Sequence, residues 1–267
     1  MKAWPLLSLD GDRPTALLAD IHANIDALQA VCAYLDRQGV DQALVLGDIV
    51  GYGASPVRVI DEIDNRGWAM IRGNHEDMLG SFDTVDARGR LKSCARRSIE
   101  WTRRQLDDTA RHRLARLPTA GRCPPHLWAV HGSLVDPTFC YAYIYELSLD
   151  LNVAALERAE LPAGSLVAHG HTHHAGIFRV VGGTWSRLEA GADGSPTHLD
   201  PESRWLINPG SVGYPRDGDP RASFMIWEPA TRRLGRIRLP YDVEAAARRI
   251  DQEAYAPGLA ERLRAAR

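Results

Sequence analysis

Five times along this chain a short apolar run stops at a cluster of aspartate, histidine, asparagine and glycine. Residues 15–19 (TALLA) end in Asp20-Ile21-His22, residues 43–46 (ALVL) in Gly47-Asp48, and Trp68 to Ile71 in Gly73-Asn74-His75-Glu76. The runs at 126–130 and 165–169 end in His131-Gly132 and Gly170-His171-Thr172-His173. Continuous apolar runs of this length are the mark of buried strands. In open α/β sheets the carboxyl ends of the strands are where ligands bind. A chain written this way is constrained to gather its polar residues along the edge of a sheet.

The segments between the runs read as helices. From Asn24 to about Arg37 the apolar positions Ile25, Leu28, Val31, Cys32 and Leu35 repeat with helical spacing, with Asn24 as N-cap and Gly39 as the stop. Another helix follows Pro56. Strand alternating with helix in this rhythm predicts a parallel sheet with right-handed crossovers. A long helix is expected from about Arg88 to Leu117, with apolar Leu91, Ile99, Trp101 and Leu106. Its arginines alternate with acidic and apolar residues, which reads as a solvated face and not a nucleic-acid patch. Short strands are expected between Phe178 and Leu239, with a turn at Gly182-Gly183, and then amphipathic helix from Val243 to Arg267, broken at Pro257-Gly258. With no repeat, low-complexity tract or long linker, residues 1–267 are expected to form a single domain.

A formal net charge of −2 gives no global field toward nucleic acid or anionic membrane, so stable nucleic-acid binding is not expected. No apolar run approaches the roughly 20 residues of a spanning helix, and Met1 to Pro14, broken by Pro5, does not make a signal peptide. Cys32, Cys94, Cys123 and Cys140 form no C-x-x-C pair and read as reduced thiols. A cytoplasmic location is expected.

Taken in order, the strand-end motifs D-x-H, G-D, G-N-H-[DE], H-G and G-H-x-H resemble those of the calcineurin-like metallophosphoesterase superfamily. Asn208-Pro209-Gly210-Ser211-Val212-Gly213, with residues 215–223 after it, resembles the small bacterial and archaeal phosphodiesterase branch. The resemblance covers about residues 15–245. It implies a four-layer α/β/β/α sandwich of two mixed β-sheets with two divalent metal ions at the strand ends. By the family pattern Asp48 bridges the ions, Asp20, His22 and His173 complete one site, and Asn74, His131 and His171 complete the other. His75 is then the catalytic histidine, contacting a phosphate oxygen or protonating the departing alkoxide.

The residue chemistry agrees with this pattern. Two ions roughly 3.5–4 Å apart need a bridging carboxylate. His171 and His173 are separated by one residue and would project to the same side of an extended segment. Imidazole mixed with carboxylate and amide oxygen suits Mn²⁺, here favoured, or Fe²⁺, Zn²⁺, Co²⁺ and Ni²⁺, and is too rich in histidine for calcium or a dedicated magnesium site.

The implied activity is hydrolysis of a small phosphate ester, a phosphodiester or nucleotide-type substrate, by a hydroxide shared between the metals. Diadenosine polyphosphate hydrolysis and a non-catalytic scaffold are the alternatives. The protein serine/threonine phosphatases carry Asp-Arg where this chain has Gly51-Tyr52. The carboxylate that orients the histidine and the arginine that clamps a phosphomonoester are therefore missing, which argues against phosphoprotein phosphatase activity. Glu76 is the remaining candidate to orient His75.

Arg216 and Arg221 either contact substrate phosphate or pair with Asp217 and Asp219. Tyr141, Tyr143 and Tyr145 alternate as in a half-buried strand or packed loop, or stack on a nucleobase. The 208–213 stretch is a glycine-dictated turn or a minor part of the active site. His169 is expected to face away from the metals and His174 to lie outside the ligand set. His112, His126 and His198 are expected at the surface.

Overall fold

The computed structural model describes residues 4–82, 93–189 and 195–267. The expected rhythm opens the chain: β1 (Thr15–Leu18), α1 (Ile25–Gln38), β2 (Gln42–Val45), α2 (Pro56–Asn65) and β3 (Ala69–Met70). β1 pairs parallel with β2, Thr15 opposite Gln42 and Leu18 opposite Val45, and β2 pairs parallel with β3. Asn24 caps α1 by accepting from the Ala27 N–H at 3.1 Å, and Gly39 ends the helix at φ +68°.

Three stretches differ from the sequence expectation. First, α3 (Asn74–Ser81) begins inside the third motif, whose residues read as a loop. Second, the single long helix is two, α4 (Ser93–Gln105) and α5 (Asp108–Ala115); its expected start at Arg88, with Leu91, lies outside the described residues. The break is at Asp107, whose carboxylate accepts from the Ala110 N–H at 2.7 Å and starts a new helix. Third, β4 (Ala120–Cys123) precedes β5 (Leu127–Val130), and the unanticipated α6 (Leu149–Arg158) precedes β6 (Leu166–Ala168). A hairpin of β7 (Gly176–Val181) and β8 (Thr184–Leu188) turns at Gly182-Gly183, both with positive φ. β9 (Thr197–His198), β10 (Arg204–Asn208), β11 (Ala222–Glu228), β12 (Arg233–Leu239), α7 (Val243–Glu253) and α8 (Leu259–Ala265) complete the chain.

The strands form two six-stranded mixed sheets, ordered β3-β2-β1-β11-β12-β9 and β4-β5-β6-β10-β7-β8. Alternation along each strand builds the layers. Leu17, Leu44 and Met225 of the first sheet face Ala129, Leu166, Trp205 and Ile207 of the second in one core. Ala16, Leu18, Ala43 and Val45 point the other way, onto Leu28, Val31 and Ile63 of α1 and α2. On the far side, Trp128, Val167 and Leu206 pack against Leu149, Val153 and Leu156 of α6. Helix, sheet, sheet and helix are therefore stacked in four layers, as the resemblance implied. The parallel strands of both sheets end at one edge. There Asp20 N–H donates to the Gly47 carbonyl, and Gly170 N–H donates to that of His131. Among the described residues no helix is long and apolar enough to cross a membrane.

Candidate metal centre

The turns that leave these strands are tight enough to force unusual backbone. Asp20, His22, Asp48, His171 and His173 have φ between +49° and +69°. Non-glycine residues seldom adopt that region, and each costs on the order of 1–3 kcal/mol. The neighbouring chain holds them there. His22 and Ala23 N–H groups donate to the Asp48 and Ile49 carbonyls at 2.9 and 2.8 Å. Ser211 Oγ donates to the Asp20 carbonyl at 2.7 Å. A side chain at Gly213 would strike the Ile21 carbonyl, so the 208–213 stretch buttresses the first motif from behind.

Glu76 grips the second motif. Its buried carboxylate accepts from the N–H groups of Asp48, Ile49, Val50 and Gly73 at 2.8–3.1 Å. It does not touch His75, so the expected orienting role is replaced by that of clamping the Asp48 loop. Burial pushes its carboxyl up to about 7.

The two sets of donors converge. Donor atoms of Asp20, His22, Asp48 and His173 lie within 4.8 Å of one another, as do those of Asp48, His131 and His171, and Asp48 belongs to both groups. His22 Nε2 and His173 Nε2 are 3.1 Å apart. His131 Nε2 lies 3.0 Å from Asn74 Oδ1 and 3.2 Å from His171 Nδ1. All seven side chains are buried.

The opposite ring nitrogens fix the tautomers. His22 Nδ1, His131 Nδ1, His171 Nε2 and His173 Nδ1 face the carbonyls of Val50, Leu46, Tyr141 and Tyr214. Carbonyls only accept, so each of those nitrogens carries the proton and donates it. The inward nitrogens are then bare lone pairs, facing one another, two carboxylates and an amide oxygen. Lone pairs a hydrogen-bond length apart with no proton between them repel, and buried charge without a partner is costly. A pair of cations resolves this, and histidines held by backbone carbonyls are the usual ligand arrangement. The residues present therefore fit a dinuclear metal group.

Without cations the site keeps protons instead. Burial, with the nearby Asp48 charge, raises the Asp20 carboxyl to about 8. Burial works against charge on His131, but Asp48 and Asp20 more than offset it and raise that imidazole to about 9. Burial lowers His171 to about 3 and drives His22 and His173 well below the ordinary range.

His75 stands beside this cluster, its Nε2 3.9 Å from Asp48 Oδ2 and its backbone N–H donating to Asp48 Oδ1 at 2.9 Å. Its buried Nδ1 has no hydrogen-bond partner among the described residues. The ring lies against Gly51 so closely that a Cβ there would come within 2.0 Å of Nδ1. Tyr52 packs edge-on to the ring at 4.7 Å. Burial lowers the pKa of His75.

A cavity of about 660 Å³ opens over Asn74, His75 and His171, walled by Tyr52, Tyr143 and Arg216 among others. Arg216 lies over the Tyr52 ring at 5.8 Å and donates to its hydroxyl at 3.4 Å, and Tyr143 lines the same cavity. It reaches neither Asp217 nor Asp219. Arg221 does close on Asp219, with Nη2 to Oδ2 at 2.7 Å, and does not line the cavity. Tyr143 stacks on His171 at 3.8 Å and on Tyr145 at 5.1 Å, both nearly parallel. The His171 ring thus already lies against one face of Tyr143. Tyr141 lines the cavity too, its hydroxyl donating to Asp77 Oδ2 at 2.8 Å.

His169 is buried and faces a separate cavity, and His174 is exposed. His112 and His198 are exposed as expected, whereas His126 is half-buried. The residues that the sequence did not single out are Tyr214, whose carbonyl orients His173, and Arg262 on the cavity wall. Tyr214 acts through its backbone carbonyl, which no side-chain pattern reveals, and Arg262 lies far along the chain from every motif.

Residues 15–232 match the sequence profile described as the calcineurin-like phosphoesterase superfamily domain. An uncharacterized protein of Methanocaldococcus jannaschii is 28% identical over 264 aligned residues, covering 93% of this chain and 96% of that protein. The crystal structure of a metallophosphoesterase from Sphaerobacter thermophilus is similar with a TM-score of 0.78 and 30% identity, covering 96% of this chain and 99% of that one. A hypothetical protein from Pyrococcus horikoshii shares the fold, with a TM-score of 0.71 at 19% identity over 94% of this chain and 97% of its own.

Proposed function

Because the chain belongs to the calcineurin-like phosphoesterase superfamily, we propose that it is a dinuclear-metal hydrolase of phosphodiester or nucleotide-type substrates. The observation that carries this reading is the donor set, in which four tautomer-locked imidazoles, two carboxylates and an amide oxygen turn lone pairs into two adjoining groups that share Asp48. Asp20, His22 and His173 would hold one ion, Asn74, His131 and His171 the other, and Asp48 both. Two divalent ions held there would lower the pKa of a water so that it loses a proton and hydroxide is available to attack phosphorus, and they would offset charge on the phosphoryl oxygens.

The chain's own groups do the rest. Glu76 keeps the Asp48 loop in place, and the wall of Tyr52 and Tyr143 limits water. Arg216 holds a mostly dehydrated positive charge with no carboxylate partner among the described residues, and it takes a phosphoryl oxygen of the substrate. It thus supplies, from a distant loop, the cation that Tyr52 does not. His75 has no carboxylate behind it, and burial disfavours its charged form. It acts as a neutral hydrogen-bond donor to phosphate. An intact donor set favours an enzyme over a scaffold. The donor set itself does not separate diadenosine polyphosphates from other esters.

The test is metal analysis together with turnover of bis(p-nitrophenyl) phosphate. The purified chain should bind close to two transition-metal ions, lose activity in strong chelator and regain it best with Mn²⁺. Asp48→Asn should lose both ions, since it removes the charge between them. Full activity in metal-free protein, or normal occupancy in Asp48→Asn, would reject the reading.

A further inference from the structure

The cavity over the metal centre is larger and more positive than a single phosphoester needs. Among the described residues no acidic side chain lines it, although the chain as a whole has a formal net charge of −2. Three arginines do: Arg216 near the centre, and Arg262 and Arg267 from the α8 region. Arg262 donates from Nη1 to Cys94 Sγ at 3.4 Å and has no ion pair among the described residues. A phosphodiester held at the ligand cluster carries one negative charge. The metal ions and Arg216 would already answer it, which leaves the guanidinium of Arg262 on the cavity wall, where no acidic side chain of the described residues lies. At about 660 Å³ the cavity lies within the roughly 300–1,000 Å³ of sites that enclose whole small molecules. Part of its wall is apolar, with Met78, Ala95, Phe139 and Leu259.

We propose that Arg262, with Arg267 beside it, forms a subsite for a second phosphate, so that the substrate is a nucleotide-sized ester bearing an anionic group besides the scissile one. The inference rests on the phosphoesterase reading above. Guanidinium suits this task because its planar fork meets two phosphate oxygens at once, and a charge-assisted pair of that kind outweighs a neutral contact. The body of the ligand would lie on the apolar wall between the two anionic ends.

The experiment measures binding, so its outcome does not depend on turnover. Calorimetry on the full Mn²⁺-loaded chain compares adenosine 5′-monophosphate with adenosine 5′-diphosphate and adenosine 3′,5′-bisphosphate, at constant free Mn²⁺. At least one two-phosphate ligand should bind about tenfold or more tighter than the monophosphate, the scale of a charge-assisted hydrogen bond. Arg262→Gln should shrink that advantage below about threefold, and Arg262→Lys should keep part of it, as a point charge without the fork would. Arg262 is exposed on α8, so neither change threatens folding. No advantage in the wild type, or one that survives Arg262→Gln, overturns the subsite. Loss of hydrolysis with the binding pattern intact would count against the phosphoesterase reading and leave the subsite standing.

Discussion

His75 stands in the candidate site with backbone, not a carboxylate, behind its imidazole. Acting as a neutral donor to phosphate, it contributes one hydrogen bond to a charged group, about 1.5–3 kcal/mol. His75→Ala should therefore lower kcat/KM by about 10- to 100-fold with both metal ions retained. The loss should be similar for a nitrophenyl ester and for an ester with an alkoxide-like leaving group. A much larger loss on the poor leaving group would show that His75 delivers a proton. The donors of the cluster were legible one by one, because each follows an apolar run and strand ends meet along one edge. Glu76 was legible as part of a motif and not as a clamp. Three of its four N–H partners lie 26–28 residues away, with Gly73 nearby, and nothing in its spacing reveals that they close around it. Arg216 and Arg221 are five residues apart with similar neighbours, and only folding sends one to the cavity and the other to Asp219.

At the scale of elements, the turn after β2 does as much as any side chain. Gly51 has φ +84°, and its missing side chain is the space that His75 occupies. Gly51→Ala would cost on the order of 1–2 kcal/mol in backbone strain and push the imidazole aside. Kinetics should show a fall in kcat approaching that of His75→Ala, with metal content unchanged. The double variant should be little worse than His75→Ala alone, since both changes remove the same contact. Additive losses would mean that Gly51 acts on something else. Strands and the helices between them were readable because their periodicity is strong, as in α1. The short α3 was hidden by its own motif, whose Asn74-His75-Glu76 reads as a loop. The α6 stripe of Leu149, Val153 and Leu156 follows a run of alternating tyrosines whose period is that of a strand. The break at Asp107 rests on a single cap inside an arginine-rich stretch, too weak a signal against the helical pattern around it.

For the whole molecule, the metal-free form should be more sensitive to pH than the metal-loaded one. In the metal-free chain Asp20 titrates near 8 and His131 near 9, both above their unfolded values. Folded protein then holds more protons than unfolded, so this contribution is complete at low pH and fades as pH rises through 8 to 9. The depressed histidines work the other way, but only below their unfolded value of about 6.5. Between about pH 6.5 and 9 the metal-free form should therefore lose Tm, while metal displaces those protons and binds more tightly. Scanning calorimetry with and without Mn²⁺ should show a gap on the order of 10 °C that widens across this window. A gap that narrows would contradict the proton count. The division of the ligands gives that gap a mechanical side. Asp20, His22, Asp48 and Asn74 follow strands of one sheet, whereas His131, His171 and His173 follow strands of the other, and each ion needs both. The cations would act as rivets through two plates whose shared interior is greasy contact. Stripping them should let that edge gape first, so amide exchange in the turns after β1, β2, β5 and β6 would quicken while the inter-sheet interior stays shut.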